Sequence, residues 1–320
     1  MMADAISDAI VAEKLSKRYG KTAALDEVTF AVPEGAIYGL VGANGAGKTT
    51  IIKTLMNIIR PTSGRARVLE IDSTSLAGKG FERIGYVSEN QEMPEGMTVG
   101  AMLGYLRPFY PRWDRELETR LVRQFDLPLK RKLKHLSRGM RMKAAFVSSL
   151  AYRPRVLVLD EPFSGLDPLV RDELIEGLLD QSVDRDGETT ILLSSHDLAE
   201  IESFASHIGF LENGRMLFSD EMTVLKERFR EVTVTLEGPR PLPMGLPAAW
   251  LKPEVADCVV RFVHSDFRGE TTEAEVSAAF DGARDISFDA MPLRAIFLAI
   301  ARAERAQRVV NGDVAGRADA

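Results

Sequence analysis

The sequence predicts an α/β fold, a mostly parallel sheet covered by helices on both faces. A helical insert interrupts it and a small α+β domain follows. Three observations predict this. Short apolar runs, "AIYGLV" at 36–41, "VLVLD" at 156–160 and "TILLSS" at 190–195, alternate with stretches of helical periodicity. Strands buried on both faces belong to parallel sheets whose crossovers are helices. Between about Met97 and Pro154 no strand candidate occurs, and past Phe229 short strands and a proline-rich loop take over.

The first run, 36–41, reads as a buried strand ended by glycine, and "KTTIIKTLMNIIR" after it as a helix stopped by Pro61 and Gly64. In the insert, "WDRELETRLVRQF" has its apolar residues at helical spacing. "LENGRML" (211–217) reads as a hairpin, because Asn213-Gly214 suits a primed turn. Beyond 229, "REVTVTL", "DCVVRFV" and "RDISF" read as strands and "TTEAEVSAAF" as a helix. The last helix starts at Pro292 and sets Leu293, Ile296, Phe297 and Ile300 on one face. The expected domains are thus 1–229, with the insert at about 97–154, then 230–308, and a frayed tail over 309–320.

Hydrophobic residues make up 45% of the 320, which supports a sizeable core. The net charge of −6 argues against a body built to bind nucleic acid. The single cysteine, Cys258, excludes an intrachain disulfide and a cysteine metal cluster and fits a reducing compartment. Acids in the first residues exclude a signal peptide, and no apolar run approaches the roughly 20 residues that cross a bilayer. The chain is expected to be soluble by itself and to meet a membrane through a partner.

"GANGAGKT", Gly42 to Thr49, matches the P-loop pattern between a strand and a helix. Its glycines let backbone N–H groups turn inward around phosphates, and the helix N-terminus adds a favourable field. Gly42, Asn44, Gly45 and Gly47 are expected to line a nucleotide's phosphates. Lys48 is expected to reach the β- and γ-phosphates, Thr49 to ligate Mg²⁺ and Thr50 to bond the α-phosphate. "VLVLDEP" places two carboxylates at a strand end. Asp160 is placed to hold Mg²⁺ through water, and Glu161 to polarise an attacking water. His196, just beyond the strand "TILLSS", is a candidate for the γ-phosphate.

The order P-loop, "LSRGM", "VLVLDEP", "SGLD" and "SSH" resembles the ATP-binding subunit of an ABC transporter, of the bacterial export-type subgroup, over roughly Ile10 to Phe229. The resemblance implies that Tyr19 stacks on adenine and that Mg-ATP is the substrate form. It implies head-to-tail pairing with a second ATP-binding domain, a second copy or a paralogue. Each ATP would lie between one P-loop and the partner's signature turn, carried here by Ser137 and Gly139. The "SGLD" loop, ending at Asp167, would couple the two sites. Two positions depart from the pattern: Arg138 stands for a glycine and Met140 for a glutamine. Arg138 suits the export subgroup, which often carries a basic residue there. A third departure is Glu89, at the place of a glutamine that senses Mg²⁺, with Gln91 two residues on. The resemblance further implies an integral-membrane permease as partner, with the chain held on the cytoplasmic face of the plasma membrane. Lys130, Arg131, Lys132 and Lys134 are then a solvated face or a contact with permease loops, and no nucleic acid is expected. Two alternatives remain, a soluble ATPase of this type acting on ribosomes or DNA, and a non-hydrolysing nucleotide-binding regulator. The first usually has two such domains or a coiled-coil insert, neither present here. Retention of Lys48, Asp160, Glu161 and His196 argues against the second.

Overall fold

The computed structural model describes residues 7–183, 189–243 and 245–310. The chain divides into two compact units, Met1–Ser219 and Asp220–Ala320, a division ahead of the boundary expected after 229.

The first unit opens with β1 (Asp8–Tyr19) and β2 (Thr22–Pro33), an antiparallel pair. Neither is evident as an alternating pattern, because register shifts and left-handed residues at Lys14 and Glu27 break the two-residue period. β3 (Ile37–Val41) is buried throughout and leads through the glycine loop to α1 (Lys48–Leu55). This helix is shorter than the expected 48–60. Asn57 turns left-handed just beyond Met56, and its side-chain amide donates to the carbonyls of Thr74 and Leu76, which ends the helix before Pro61. β4 (Ser63–Val68) returns to β1, and β5 (Ile71–Asp72) pairs with β4. These strands make an antiparallel sheet of order β2-β1-β4-β5, an addition to the single parallel sheet expected.

The parallel sheet continues with β6 (Ile84–Ser88), and the insert follows as α2 (Val99–Leu106), α3 (Arg115–Gln124) and α4 (Arg138–Leu150). Each helix starts at a side-chain cap, from Thr98, Asp114 and Ser137 respectively. Then come β7 (Val156–Asp160), α5 (Pro168–Val183), β8 (Thr190–Ser195), α6 (Leu198–Glu202), β9 (His207–Glu212) and β10 (Arg215–Glu221). The sheet order is β10-β9-β3-β8-β7-β6, parallel from β9 to β6. Ile10, Leu15, Val28 and Phe30 of the antiparallel sheet share one core with Ile51, Ile52 and Leu55 of α1 and with Leu40, Val158 and Leu192. At about 1.5–3 kcal/mol for each such side chain, this burial fixes α1, and with it the glycine loop, against both sheets.

The second unit has α7 (Met222–Arg228), β11 (Arg230–Leu236), β12 (Trp250–Ala256), β13 (Val259–His264), α8 (Glu270–Ala279), β14 (Ala283–Ala290) and α9 (Leu293–Val310). Its antiparallel sheet runs β12-β13-β11-β14 around a core of Val232, Val234, Trp250, Phe262, Val276 and Phe280. β12 is the strand the sequence hides. Pro253 sits inside it, next to a left-handed Lys252 and a register shift, and β12 is an edge strand, where a missing N–H is tolerated. α9 buries Leu293, Ile296 and Ala299, with Phe297 and Ile300 half-buried, and reaches Val310. The remainder of the tail expected over 309–320 lies outside the described residues.

Candidate functional site

The glycine loop is seated by close approaches that exclude a side chain. A Cβ on Gly42 would stand 2.3 Å from the carbonyl oxygen of Leu211, at the end of β9. Gly47, at φ 112°, caps α1 in a conformation that only glycine adopts without strain. Asn44 and Gly45 are exposed at the loop's crest, Thr49 is exposed on the first turn of α1 and Thr50 is half-buried. Lys48 is buried and lies back along the loop. Its ammonium donates to the carbonyl oxygens of Gly42 at 2.6 Å and Ala43 at 3.2 Å.

The end of β7 faces this lysine. Asp160 is 4% exposed, and its Oδ1 accepts from Thr49 Oγ1 at 3.1 Å and from Ser194 Oγ at 2.8 Å. Burial raises the Asp160 pKa, against the two hydroxyls, which lower it. Glu161 is left-handed at φ 49°, held there by its own N–H donating to Ser194 Oγ at 2.9 Å. Its carboxylate spans two partners. Oε1 lies 3.0 Å from the Lys48 ammonium, an ion pair without hydrogen-bond alignment, and Oε2 accepts from His196 Nδ1 at 2.8 Å. Lys48, Thr49, Asp160, Glu161 and His196, named separately from three motifs, are thus one cluster.

A second cluster gathers around Glu89. Its Oε1 accepts from Ser164 Oγ at 3.1 Å and from Arg138 Nη2 at 3.3 Å. Gln91 turns the other way, accepting from the N–H and hydroxyl of Ser88 at 3.1 and 3.2 Å. Ser137 Oγ accepts from the N–H of Met140 and caps α4. Gly139 lies against Val170, whose Cγ1 a Cβ would meet at 3.1 Å. Asp167 accepts from the N–H of Val170 at the start of α5. Tyr19 ends β1 with its ring 52% exposed and the Lys17 ammonium 5.2 Å from its centroid.

Residues 25–164 match the profile of the ABC transporter family. Over 226 residues the chain is 30% identical to the ABC transporter ATP-binding protein YtrB of Bacillus subtilis, covering 70% of this chain and 76% of that one. It is 37% identical to the daunorubicin resistance ATP-binding protein DrrA2 of Streptomyces coeruleorubidus, over 68% of each. The chain belongs to the ABC transporter ATP-binding proteins. A solved ATP-binding subunit of an ABC transporter superposes with a TM-score of 0.62 at 28% identity, over 68% of this chain and 92% of that one. A dimeric bacterial ABC transporter cassette superposes at 0.60 and 21% identity, over 67% and 98%. As a member of this ATPase family the protein binds and hydrolyses ATP.

The cluster is also tied to residues that the motifs alone do not single out. Ser194 is fully buried and ties both carboxylate residues, through Asp160 Oδ1 and the Glu161 N–H. A polar residue inside a wholly buried strand was the available signal, since such a group needs a partner. Glu200 is another. It accepts from Ser195 Oγ at 2.9 Å and from Arg171 at 3.2 Å, fixing the turn that carries His196. Thr49 and Asp160 pair an exposed hydroxyl with a buried carboxylate, both hard oxygen donors suited to Mg²⁺. No cluster of three metal-ligating side chains occurs among the described residues. An ion held here would take its other ligands from phosphate and water, as Mg²⁺ prefers.

Proposed function

We propose that this ATPase works as a pair of identical copies beneath a separate membrane permease and drives export. The observation that carries the hydrolytic part of the reading is the Lys48–Glu161–His196 chain of contacts at 3.0 and 2.8 Å, beside a P-loop. Glu161 is the group that orients and polarises the attacking water, and His196 steadies its carboxylate. Lys48 exchanges the loop carbonyls for the β- and γ-phosphates. Tyr19 stacks on the base, and Thr50 and the N–H groups of Gly42 to Gly47 hold the phosphates. Thr49, Asp160 and Glu89 are the side chains for Mg²⁺, which neutralises charge on the β- and γ-phosphates when bound.

Pairing is supported by the chain's own content. It carries a P-loop half and a signature half, Ser137, Gly139 and Asp167, so two copies make two complete sites. Two solved neighbours of this fold are dimeric. A permease partner is supported by a cleft of about 340 Å³ between the sheet and the insert, where Met56, Ile58, Phe81 and Leu106 lie beside the polar Gln91 and Ser148. No described helix is long and apolar enough to cross a membrane; in this reading a permease on a separate chain holds the protein at the cytoplasmic face. Export is supported by the drug-resistance relative, 37% identical.

Affinity purification of the full chain from detergent-solubilised membranes, followed by mass analysis, tests the reading. The expected companion is an integral membrane protein with about six apolar spans of roughly 20 residues. Recovery with ribosomes or DNA and no membrane protein would contradict it.

A further inference from the structure

Arg138 occupies the first position of α4, where a cation opposes the helix field and an anion is favoured. It is placed against two other loops. Its Nη2 donates to Glu89 Oε1 at 3.3 Å, and its guanidinium lies over Gly165, where a Cβ would stand 2.9 Å from Nη1. Ser164, next to that glycine, donates to the same Glu89 oxygen. Three loops of one chain therefore meet at one carboxylate: the turn before α4, the loop after β6 and the loop after β7. The meeting is loose, with the Arg138 and Glu89 side chains 48% and 40% exposed. An exposed pair of this kind is weak, and a more highly charged anion displaces the carboxylate.

We infer that Arg138 is a positioning residue with two alternative counter-anions, Glu89 of its own chain and the terminal phosphate of ATP on the partner copy. The inference rests on the paired-site reading above. In the single chain Glu89 neutralises Arg138 and is itself held away from nucleotide. When the second copy brings a triphosphate to Ser137 and Gly139, the guanidinium, one residue from the cap, transfers to the phosphate. Glu89 is then free to turn to the nucleotide of its own chain. ATP at one site thereby releases a ligand at the other. ADP lacks the terminal phosphate and leaves the Arg138–Glu89 pair closed.

The test is the dissociation constant of the ATP-bound pair, measured by sedimentation of the full chain in a Glu161→Gln background, with ADP as control. Glu89→Gln removes the competing carboxylate and is expected to tighten the ATP-bound pair about two- to fivefold. Arg138→Met weakens it, and adding Glu89→Gln to Arg138→Met produces no tightening. Arg138→Lys keeps the charge and retains the response to Glu89→Gln. Thermal unfolding without nucleotide confirms that each variant is folded. Equal tightening by Glu89→Gln with and without Arg138 would overturn the inference, as would no change in either. Failure of the Glu161→Gln parent to pair with ATP would overturn the paired-site reading, and this inference with it.

Discussion

Glu161 meets three demands at once: a left-handed backbone, an ion pair with Lys48 and a bond to His196. A non-glycine residue in that region costs on the order of 1 kcal/mol, so the Ser194 hydroxyl that holds it is part of the device. Glu161→Gln keeps the bond to His196 and the shape of the site but removes the charge that polarises water. ATP binding is expected to persist while turnover falls about a hundredfold or more, as single-turnover hydrolysis would show. Near-parental turnover would remove Glu161 from that role. Asp160 gives a prediction of opposite character. Its pKa is raised from about 3.8, chiefly by burial, so the folded chain holds the proton more tightly than the unfolded one. The associated stability is present at low pH and lost as pH rises through the raised value. Asp160→Asn keeps an oxygen for Thr49 and Ser194 without the buried charge. The nucleotide-free variant is expected to melt at or above the parent at pH 7, and to lose the added stabilisation that Mg-ATP gives the parent. Calorimetry with and without Mg-ATP separates the two effects, and a melting point well below the parent would contradict the first.

The turn between β9 and β10 ties local structure to nucleotide binding. Asn213 and Gly214 are both left-handed, at φ 50° and 78°, as the primed turn requires. Gly214 also braces the glycine loop: its N–H donates to Ala46, and its carbonyl accepts from the Asp26 N–H. A Cβ there would stand 2.6 Å from the carbonyl oxygen of Ala24. Gly214→Ala is expected to cost about 1–3 kcal/mol and to weaken ATP binding together with stability. Unchanged affinity in a destabilised variant would show that the turn does not support the P-loop. What was legible at this scale followed the strength of local signals. β3, β7 and β8 are buried on both faces and read directly as apolar runs, and the hairpin turn carried its own chemistry. β1 and β2 did not read, because bulges shift their inward positions, and β12 was masked by Pro253 at an edge. The P-loop and the two carboxylates were named from spacing. Ser194, Glu200 and the Arg138 contact with Glu89 were not, since each depends on side chains brought together across the fold.

At the scale of the whole molecule, the two compact units divide between Ser219 and Asp220, and the nucleotide cluster lies wholly in the first. That cluster contains Lys48 and Glu161, while Ser137 caps a helix of the insert through the N–H of Met140. In a paired ATPase of the kind proposed, Ser137 acts on the nucleotide of a second copy. Mixing two inactive variants tests this most directly. Lys48→Ala removes the cation of the P-loop half, and Ser137→Arg places a bulky side chain in the signature half and removes its capping hydroxyl. Each variant alone has both shared sites damaged. In a mixed pair, one site carries both lesions and the other carries neither. Equimolar mixing of the two purified chains is therefore expected to restore hydrolysis, up to about a quarter of the parental rate, since about half the pairs are mixed, each has one intact site, and coupling to the dead site lowers the rate from that limit. A mixture as inactive as its components would contradict a site shared between two copies of this chain.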